Sequence, residues 1–558
     1  SRFQLTFNTK PTCILSLIII VNVLTISVRT TTAIESVTWS ENNAESIANQ
    51  FHELSISIKN SASNEIASHL SDFFLATGFP RHIDNPQPIN TWVSQWETRP
   101  GKSGIGKRDF LSDFRDYRAY FPEIEDVRIK VKNAHFSQQS TSTVCDALIR
   151  ISIVGRNEKN QRQWAVIKIK ISAKLNDNES WLIDTFNIID YSARVARSEL
   201  FSEVSVPAGT YHSAPKFGTQ GNQTFSAHGV AIADINNDGW VDAFTTGIQE
   251  NFLYMNQRDG TFLDRAEEVG LRFTPPATAP LFLDGDNDGD IDLFMAAVGY
   301  QMYFTNRLDE EDLPEFVDES QGAHVAYPAH SFGAVTADID QDGWTDIYVS
   351  SYNQYGTIMP DSWSRAENGT ANLLFHNQGG GSFSEEAGVR GVADRRWSYA
   401  AAFADIDEDG DQDLYVVNDF GENGFYRNER GYYVECASNM GLLDSGNGMG
   451  VSFGDFNNDG LIDLHVTNMS STAGKRILNL LFPDSTPPKH IQVLEKLAAG
   501  NTLFENLGSG NFSDVSKVAG PFGAGWAFGG GFIDFDNDGW QDIHAPNGFI
   551  SGTSLKDT

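Results

Sequence analysis

The chain has 558 residues and a mass of 61.6 kDa, too long for one ordinary core, so two or three domains are expected. Hydrophobic residues at 40% and aromatics at 12% exclude a mainly disordered chain. The formal net charge of −34, from 74 Asp and Glu against 40 Lys and Arg, disfavours nucleic acid and anionic membrane as partners and favours cations.

The chain starts at Ser1. After Arg2 and Lys10 comes an apolar run over 13–28, CILSLIIIVNVLTISV, followed by Arg29 and small residues to Ala33. Basic, apolar, small-residue order is that of a secretory signal peptide over 1–33, with a retained N-terminal membrane anchor as the alternative. Asn22 and several hydroxyls make the run a poor permanent span. The expected location is therefore secreted, periplasmic or cell surface, with membrane as a partner only if the segment is an uncleaved anchor. Of three cysteines, Cys13 lies in this segment, and Cys145 and Cys436 are expected to be buried free thiols. Glycosylation sequons stand at Asn178, Asn222, Asn368, Asn468 and Asn511.

Residues 36–200 form the first expected folded domain. Helical periodicity runs through 43–77 (IANQFHELSISI, EIASHLSDFFLAT), and LSDFRDYRAYF at 111–121 adds a short helix. Strands are expected near 125–138, 143–155, 162–174 and 180–191. Helices followed by an antiparallel meander loosely resemble the α+β fold of nuclear transport factor 2. His52, His69, His82 and His135 have no partner spacing that singles any out, and Asp184 and Asp190 read as solvated or turn acids, so no catalytic constellation is expected.

From residue 201 the chain repeats. Six stretches fit D-x-[DN]-x-D-G-x-x-D: DINNDGWVD (234–242), DGDNDGDID (284–292), DIDQDGWTD (338–346), DIDEDGDQD (405–413), DFNNDGLID (455–463) and DFDNDGWQD (534–542). By chance the pattern arises at roughly one start position in a hundred thousand. A hard cation of calcium's size takes six to eight oxygens, and a tight loop supplies them from positions 1, 3, 5 and 9 and from the carbonyl of position 7. The expected ligands are Asp234, Asn236, Asp238, Trp240 and Asp242 in the first loop, and Asp284, Asp286, Asp288, Asp290 and Asp292 in the second. The third offers Asp338, Asp340, Asp342, Trp344 and Asp346, and the fourth Asp405, Asp407, Asp409, Asp411 and Asp413. The fifth offers Asp455, Asn457, Asp459, Leu461 and Asp463, and the sixth Asp534, Asp536, Asp538, Trp540 and Asp542. About six calcium ions are expected. Magnesium seldom uses an all-protein cage, and transition metals would want His or Cys, which these loops lack. An EF-hand is excluded because position 12 is Thr245, Met295, Val349, Val416, Val466 and Ala545 rather than Glu.

Small and apolar residues before each loop and short apolar runs after it place the loops between two strands. A second element follows, as in NFLYMNQRDGTFLDRAEEVG (251–270), NLLFHNQGGGSFSEEAGVRG (372–391), NGFYRNERGYYVECASNMG (423–441) and NTLFENLGSGNFSDVSKVAG (501–520), each reading strand, turn, strand. Four strands per repeat of about 50 residues point to a mainly β fold, a multi-bladed β-propeller. Insertions at 352–370 and 470–500, the latter partly helical around 490–499, are candidate specificity loops.

These residues resemble FG-GAP or VCBS repeats, as in integrin α-subunit propellers. The fuller pattern, N-x-L-F-x-N-x-G-x-G-x-F-x-D-V-S-x-x-A-G, then W-x-x-G-x-x-F-x-D-F-D-N-D-G-W-x-D and Asn547-Gly548, is similar to the cartilage acidic protein family. The resemblance covers about 200–558 and implies a seven-bladed propeller followed by a small ASPIC/UnbV domain. This chain stops soon after its sixth loop, so either six blades are present or a seventh lies beyond a truncated C-terminus; FSEVSVPAG at 201–209 matches the end of a blade and is expected to close the ring. The function expected is a calcium-binding module for an extracellular protein or glycan. The alternative is an extracellular hydrolase or lyase on a propeller scaffold or in an N-terminal pocket.

Overall fold

The computed structural model describes residues 30–547 apart from 139–141, 199–200, 213–228, 248, 309–313, 355–356, 363, 471–494, 498 and 521–522. The apolar run at 13–28, the sequon at Asn222 and most of the 470–500 insertion lie outside the described residues. Among described residues, no helix is long and apolar enough to cross a membrane. The chain divides into two compact units, Ser1–Glu203 and Val204–Thr553.

The first unit opens with α1 (Thr30–Lys59) and α2 (Ser63–Ser68). Ala44, Ile47, Phe51, Leu54 and Ile58 recur at three- and four-residue steps and are all buried, which makes α1 amphipathic. Strands β1 (Leu70–Thr77), β2 (Arg81–Pro88), β3 (Val93–Arg99) and β4 (Ser103–Gly106) follow, then α3 (Lys107–Arg118). The expected helix over 43–77 therefore ends early. DFFLAT forms strand because Phe74 and Ala76 face the core while Phe73 and Leu75 face out, a period of two that overrides the helical reading. Four long strands complete the unit: β5 (Glu123–Gln138), β6 (Thr143–Arg156), β7 (Arg162–Leu175) and β8 (Trp181–Ala196). The sheet order is β2-β3-β8-β7-β6-β5, with β1 parallel to β8 and paired to β4. Ala165, Ile167, Ile169 and Ile171 alternate inward along β7 and join Phe51, Phe79, Phe110 and Phe114 in one core. Each of these Ile and Phe side chains contributes roughly 1.5–3 kcal/mol relative to an exposed one. Cys145 is buried in this unit, Cys436 half-buried in the next, and both are free.

The second unit is a series of antiparallel four-stranded sheets. Sheet I comprises Val230–Ala233, Asp242–Thr245, Phe252–Asn256 and Phe262–Asp264, and sheet II Ala277–Leu283, Asp292–Tyr300, Met302–Leu308 and Pro314–Asp318. Sheet III comprises Pro328–Ala337, Asp346–Ser351, Leu373–Asn377 and Phe383–Glu385, and its first strand also pairs with the far end of the second strand of sheet II. Sheet IV comprises Ser398–Ala404, Asp413–Asn418, Gly424–Asn428 and Tyr433–Glu435. Sheet V comprises Gly448–Gly454, Asp463–Asn468, Thr502–Asn506 and Phe512–Asp514, and a hairpin, Gly531–Ile533 with Asp542–His544, begins a sixth.

Successive sheets bury their faces on one another. Phe244 and Leu253 of sheet I pack with Leu293 and Met295 of sheet II, and Tyr415 and Phe425 of sheet IV pack with Leu464 and Val466 of sheet V. Helical turns at Ala387–Arg390 and Ala437–Met440 end sheets III and IV, each capped by a left-handed glycine, Gly391 and Gly441. Ser205–Ala208 with Gly209 repeats that turn, and Gly209 sits against the Phe262 carbonyl of sheet I as Gly391 sits against the Tyr433 carbonyl of sheet IV. The 201–209 segment thus carries the end-of-sheet turn of the repeat.

Candidate metal centres

Each acidic loop joins the first strand of a sheet to its second. In the first loop, the position-1 carboxylate of Asp234 accepts the N–H groups of Asp238 (3.0 Å) and Gly239 (2.8 Å), and Asp238 accepts that of Trp240 (2.9 Å). The same bonds recur at Asp338, Asp455 and Asp534, with Trp344, Leu461 and Trp540 donating to the position-5 acid. They curl the backbone around its own carboxylates. Glycine is required at position 6, where φ lies between +85° and +94° in all six copies, a left-handed geometry that a Cβ disfavours.

Position 9 is the buried pillar. Asp242, Asp292, Asp346, Asp413 and Asp463 are at most 1% exposed. One oxygen accepts the position-2 N–H, as from Ile339 to Asp346 (3.0 Å), and the other accepts the N–H of an Asn on the third strand, as from Asn377 (2.7 Å). Burial pushes the carboxyls of Asp242, Asp292 and Asp463 up to about 6 and that of Asp413 up to about 7. Asp346 and Asp542 move in the same direction for the same reason.

Among the described residues, carboxylate oxygens converge within 4.8 Å at Asp284, Asp286 and Asp292, at Asp338, Asp340 and Asp346, at Asp405, Asp407 and Asp409, and at Asp534, Asp536 and Asp542. The first and fifth loops make no such triad because position 3 is Asn. Asn236 donates to Asp238 (3.3 Å), which is also paired with Arg258 (2.9 Å), and Asn457 donates to Asp459 (3.0 Å) and Glu505 (3.3 Å). In the third loop Asp340 is held by His376 (2.9 Å) and Arg390 (3.2 Å). Asp290 and Asp411 occupy position 7 and turn their carboxylates to the N–H groups of Leu308 and Arg430.

The donor set fits a hard cation. Within the loops it is all oxygen, with the His376 nitrogen beside Asp340 and Asp342 of the third, and Asn236 Oδ1, Asp284 Oδ1, Asp340 Oδ1, Asp405 Oδ1 and Asp407 Oδ1 are buried with no hydrogen-bond donor. A buried oxygen without a donor costs about 1–3 kcal/mol, and coordination by a cation removes that cost.

Position 4 was invisible as a ligand position, yet it links the loops. Asn237 donates to the carbonyl of Gly289 in the next loop (3.1 Å), Asn287 to Gly343 (3.0 Å), Gln341 to Gly410 (2.8 Å) and Asn458 to Gly539 (2.9 Å). Every position-4 residue is left-handed, with φ between 55° and 61°. Glu408 alone of the six is an acid, which cannot donate to the carbonyl opposite. The amides at this position were the available signal. The third-strand Asn also bridges sheets: Asn377 reaches Gly285 (2.8 Å) and Asn428 reaches Ile339 (2.8 Å).

The FG-GAP-like repeat family matches at residues 234–295, 338–416 and 405–466, spans that each begin at position 1 of an acidic loop. The chain carries FG-GAP-like repeats. No curated protein matches it. Among solved structures, it is similar to an Agrocybe aegerita lectin described for recognition of non-reducing terminal N-acetylglucosamine, at 13% identity over 63% of this chain and 75% of that one, with a TM-score of 0.30. A putative scytalone dehydratase from Novosphingobium aromaticivorans covers 28% of this chain and 89% of its own at 9% identity, with a TM-score of 0.20. Likenesses this weak bear on neither fold nor function.

Away from the loops, the 352–370 insertion packs Tyr352 and Ala366 against Trp397 and Phe420. The Tyr352 hydroxyl donates to Asp419, a buried acid that burial pushes up to about 6. Asn368 donates its amide N–H to the Met359 carbonyl (2.9 Å) and Asn468 is fully buried, so neither sequon presents a free amide, whereas Asn178 and Asn511 are exposed. In the first unit His82 lies between the rings of Trp96 and Tyr120 and meets the Tyr191 hydroxyl at 3.0 Å, and burial pushes it down to about 4. The void among Leu54, Phe79, Phe110 and Phe186 is about 30 Å³, room for a water rather than a substrate.

Proposed function

We propose that the chain is an extracellular calcium-binding β-propeller that serves as a binding or adhesion module for a protein or glycan. The observation that carries the calcium reading is the convergence of three carboxylates within 4.8 Å in four loops, with buried oxygens that have no donor. Acids so placed repel one another in water-poor surroundings, and a divalent cation of calcium's size offsets that repulsion while satisfying the spare lone pairs. The FG-GAP-like repeats support a propeller-type binding module. Phe332 stacks on Tyr399 (5.2 Å) between the first strands of sheets III and IV, and Phe528, just before the last hairpin, lies 6.1 Å from Tyr399, so aromatic side chains from three repeats meet there. In this reading calcium is a structural ion, and the ligand is taken by loops outside the metal cages. Calorimetric titration of the metal-stripped chain with calcium and separately with magnesium tests it. Saturable calcium binding at several sites per chain, with magnesium much weaker, is expected; no calcium binding at millimolar metal contradicts it.

A further inference from the structure

The charge of the chain is divided unevenly. Residues 201–558 hold 53 Asp and Glu against 17 Lys and Arg, whereas residues 36–200 hold 20 of each. Within that balanced stretch five of the cations, Arg128, Lys130, Arg150, Lys168 and Lys170, share one face of the sheet. The sheet β5–β8 buries one face through Val131, Ile149, Ile151 and Ile169. On the opposite face the strand register sets Lys130 against Arg150, Arg150 against Lys168, and Lys168 against Asp190, so a row of three cations crosses three strands and ends in an acid on the fourth. Lys170 flanks the row two residues along β7, and Arg128 two residues along β5.

Like charges directly opposite one another on neighbouring strands destabilise a sheet. A chain so rich in acids nevertheless places three cations side by side, and of these the local acids pair only Lys168. Asp190 pairs with Lys168 (2.8 Å) and Asp126 with Arg128 (2.7 Å). Among the described residues Lys130, Arg150 and Lys170 make no ion pair, and Arg150 Nε is buried with no acceptor. Lys130 and Lys170 are exposed and Arg150 is half-buried. A local rule broken with no compensation inside the fold marks a place where a partner supplies it.

We propose that this row is a docking surface for a polyanionic glycan, an oligosaccharide bearing sulfate or uronate groups. Neighbours across the row stand about 4.5–5.5 Å apart and neighbours along a strand about 6.6–6.8 Å, a grid that meets anions spaced along an extended sugar chain. The planar guanidinium of Arg150 at its centre pairs two-pronged with carboxylate or sulfate, and the flanking ammonium groups adapt to variable spacing. Single-stranded nucleic acids are held by exposed aromatic platforms, whereas the positions between these cations are Leu148, Ser152, Val166 and Asn187.

The probe is a heparin octasaccharide titrated into the full chain by calorimetry at about 50 mM and about 200 mM salt. Oligothymidylate and vesicles of phosphatidylcholine with phosphatidylserine are run in parallel. Two variants are compared: Lys130→Glu, which gives Arg150 a partner, and the triple Lys130→Ser, Arg150→Thr, Lys170→Thr. Both should melt no lower than the parent, because each relieves like-charge contact. Saturable binding that weakens with salt, falls about tenfold in Lys130→Glu and vanishes in the triple variant is expected. The proposal is overturned by absence of octasaccharide binding, by equal binding in parent and variants, or by tighter binding of oligothymidylate or vesicles. It is also overturned if sedimentation finds a dimer that the triple variant dissolves, since the face would then join two copies of the chain.

Discussion

The two units solve the same packing problem with opposite materials. The N-terminal unit packs four strands of 14 to 16 residues around a single apolar core, and its residues 36–200 hold 20 cations and 20 acids. The repeat unit divides its apolar burial among thin layers between short sheets, and stitches those layers with fully buried Asp and Asn. The first is held by apolar packing. The second keeps carboxylates close together and buried, a state that is costly unless charge is brought in from outside.

Substitutions in the two cores should separate these strategies. Phe79, 4% exposed and packed on Phe110, Phe114 and Tyr117, is expected to cost about 3–5 kcal/mol when changed to Ala, by the same amount with or without calcium. Asn428 donates its backbone N–H to Asp413 and its amide to Ile339 of the preceding sheet (both 2.8 Å). Asn428→Ala leaves Asp413 its backbone donor but strands the Ile339 carbonyl, so about 1–3 kcal/mol is expected, with weakened calcium binding at the fourth loop. Denaturant midpoints in each metal condition check both.

Acidity distinguishes the units further. In chelator, Asp242, Asp292 and Asp463 hold protons in the folded chain up to about 6 and Asp413 up to about 7, against 3.8 for a free carboxyl. The folded state therefore binds more protons than the unfolded one across that window. This contribution to stability is full below about pH 4 and is lost as pH rises through about 6 to 7. Calcium should reverse the trend, because its ligands must be ionised. Melting temperatures of the repeat unit from about pH 4.5 to 7.5, with chelator and with calcium, should have slopes of opposite sign.

The smallest effect is expected at position 4. Glu408→Asn supplies the missing amide opposite the fifth loop and relaxes a left-handed acid, so a gain of about 0.5–1 kcal/mol is expected. No gain would mean that the links made by Asn237, Asn287 and Asn458 follow from loop geometry without supporting it.

What was legible in the sequence was local. The cage spacing, the glycine at position 6 and the strands on either side are set by residues within about ten positions of each other, and the alternation along β5 to β8 is long enough to fix their period. What depended on neighbours distant in sequence was not legible. The position-4 amides act on the next loop, and the Lys130–Arg150–Lys168 row exists only through register. Leu70–Thr77 read as helix because Leu70, Phe74 and Thr77 also sit at helical spacing. At 284–292, 338–346, 405–413 and 534–542 three carboxylates converge, while at 234–242 and 455–463 the position-3 Asn donates its amide N–H to a neighbouring acid.

Scanning calorimetry of the full chain in calcium and in chelator tests the central claim most directly. Two transitions are expected: that of the N-terminal unit stays in place, and that of the repeat unit falls by more than about 10 °C when calcium is removed. A repeat transition that does not move with chelator would contradict the account.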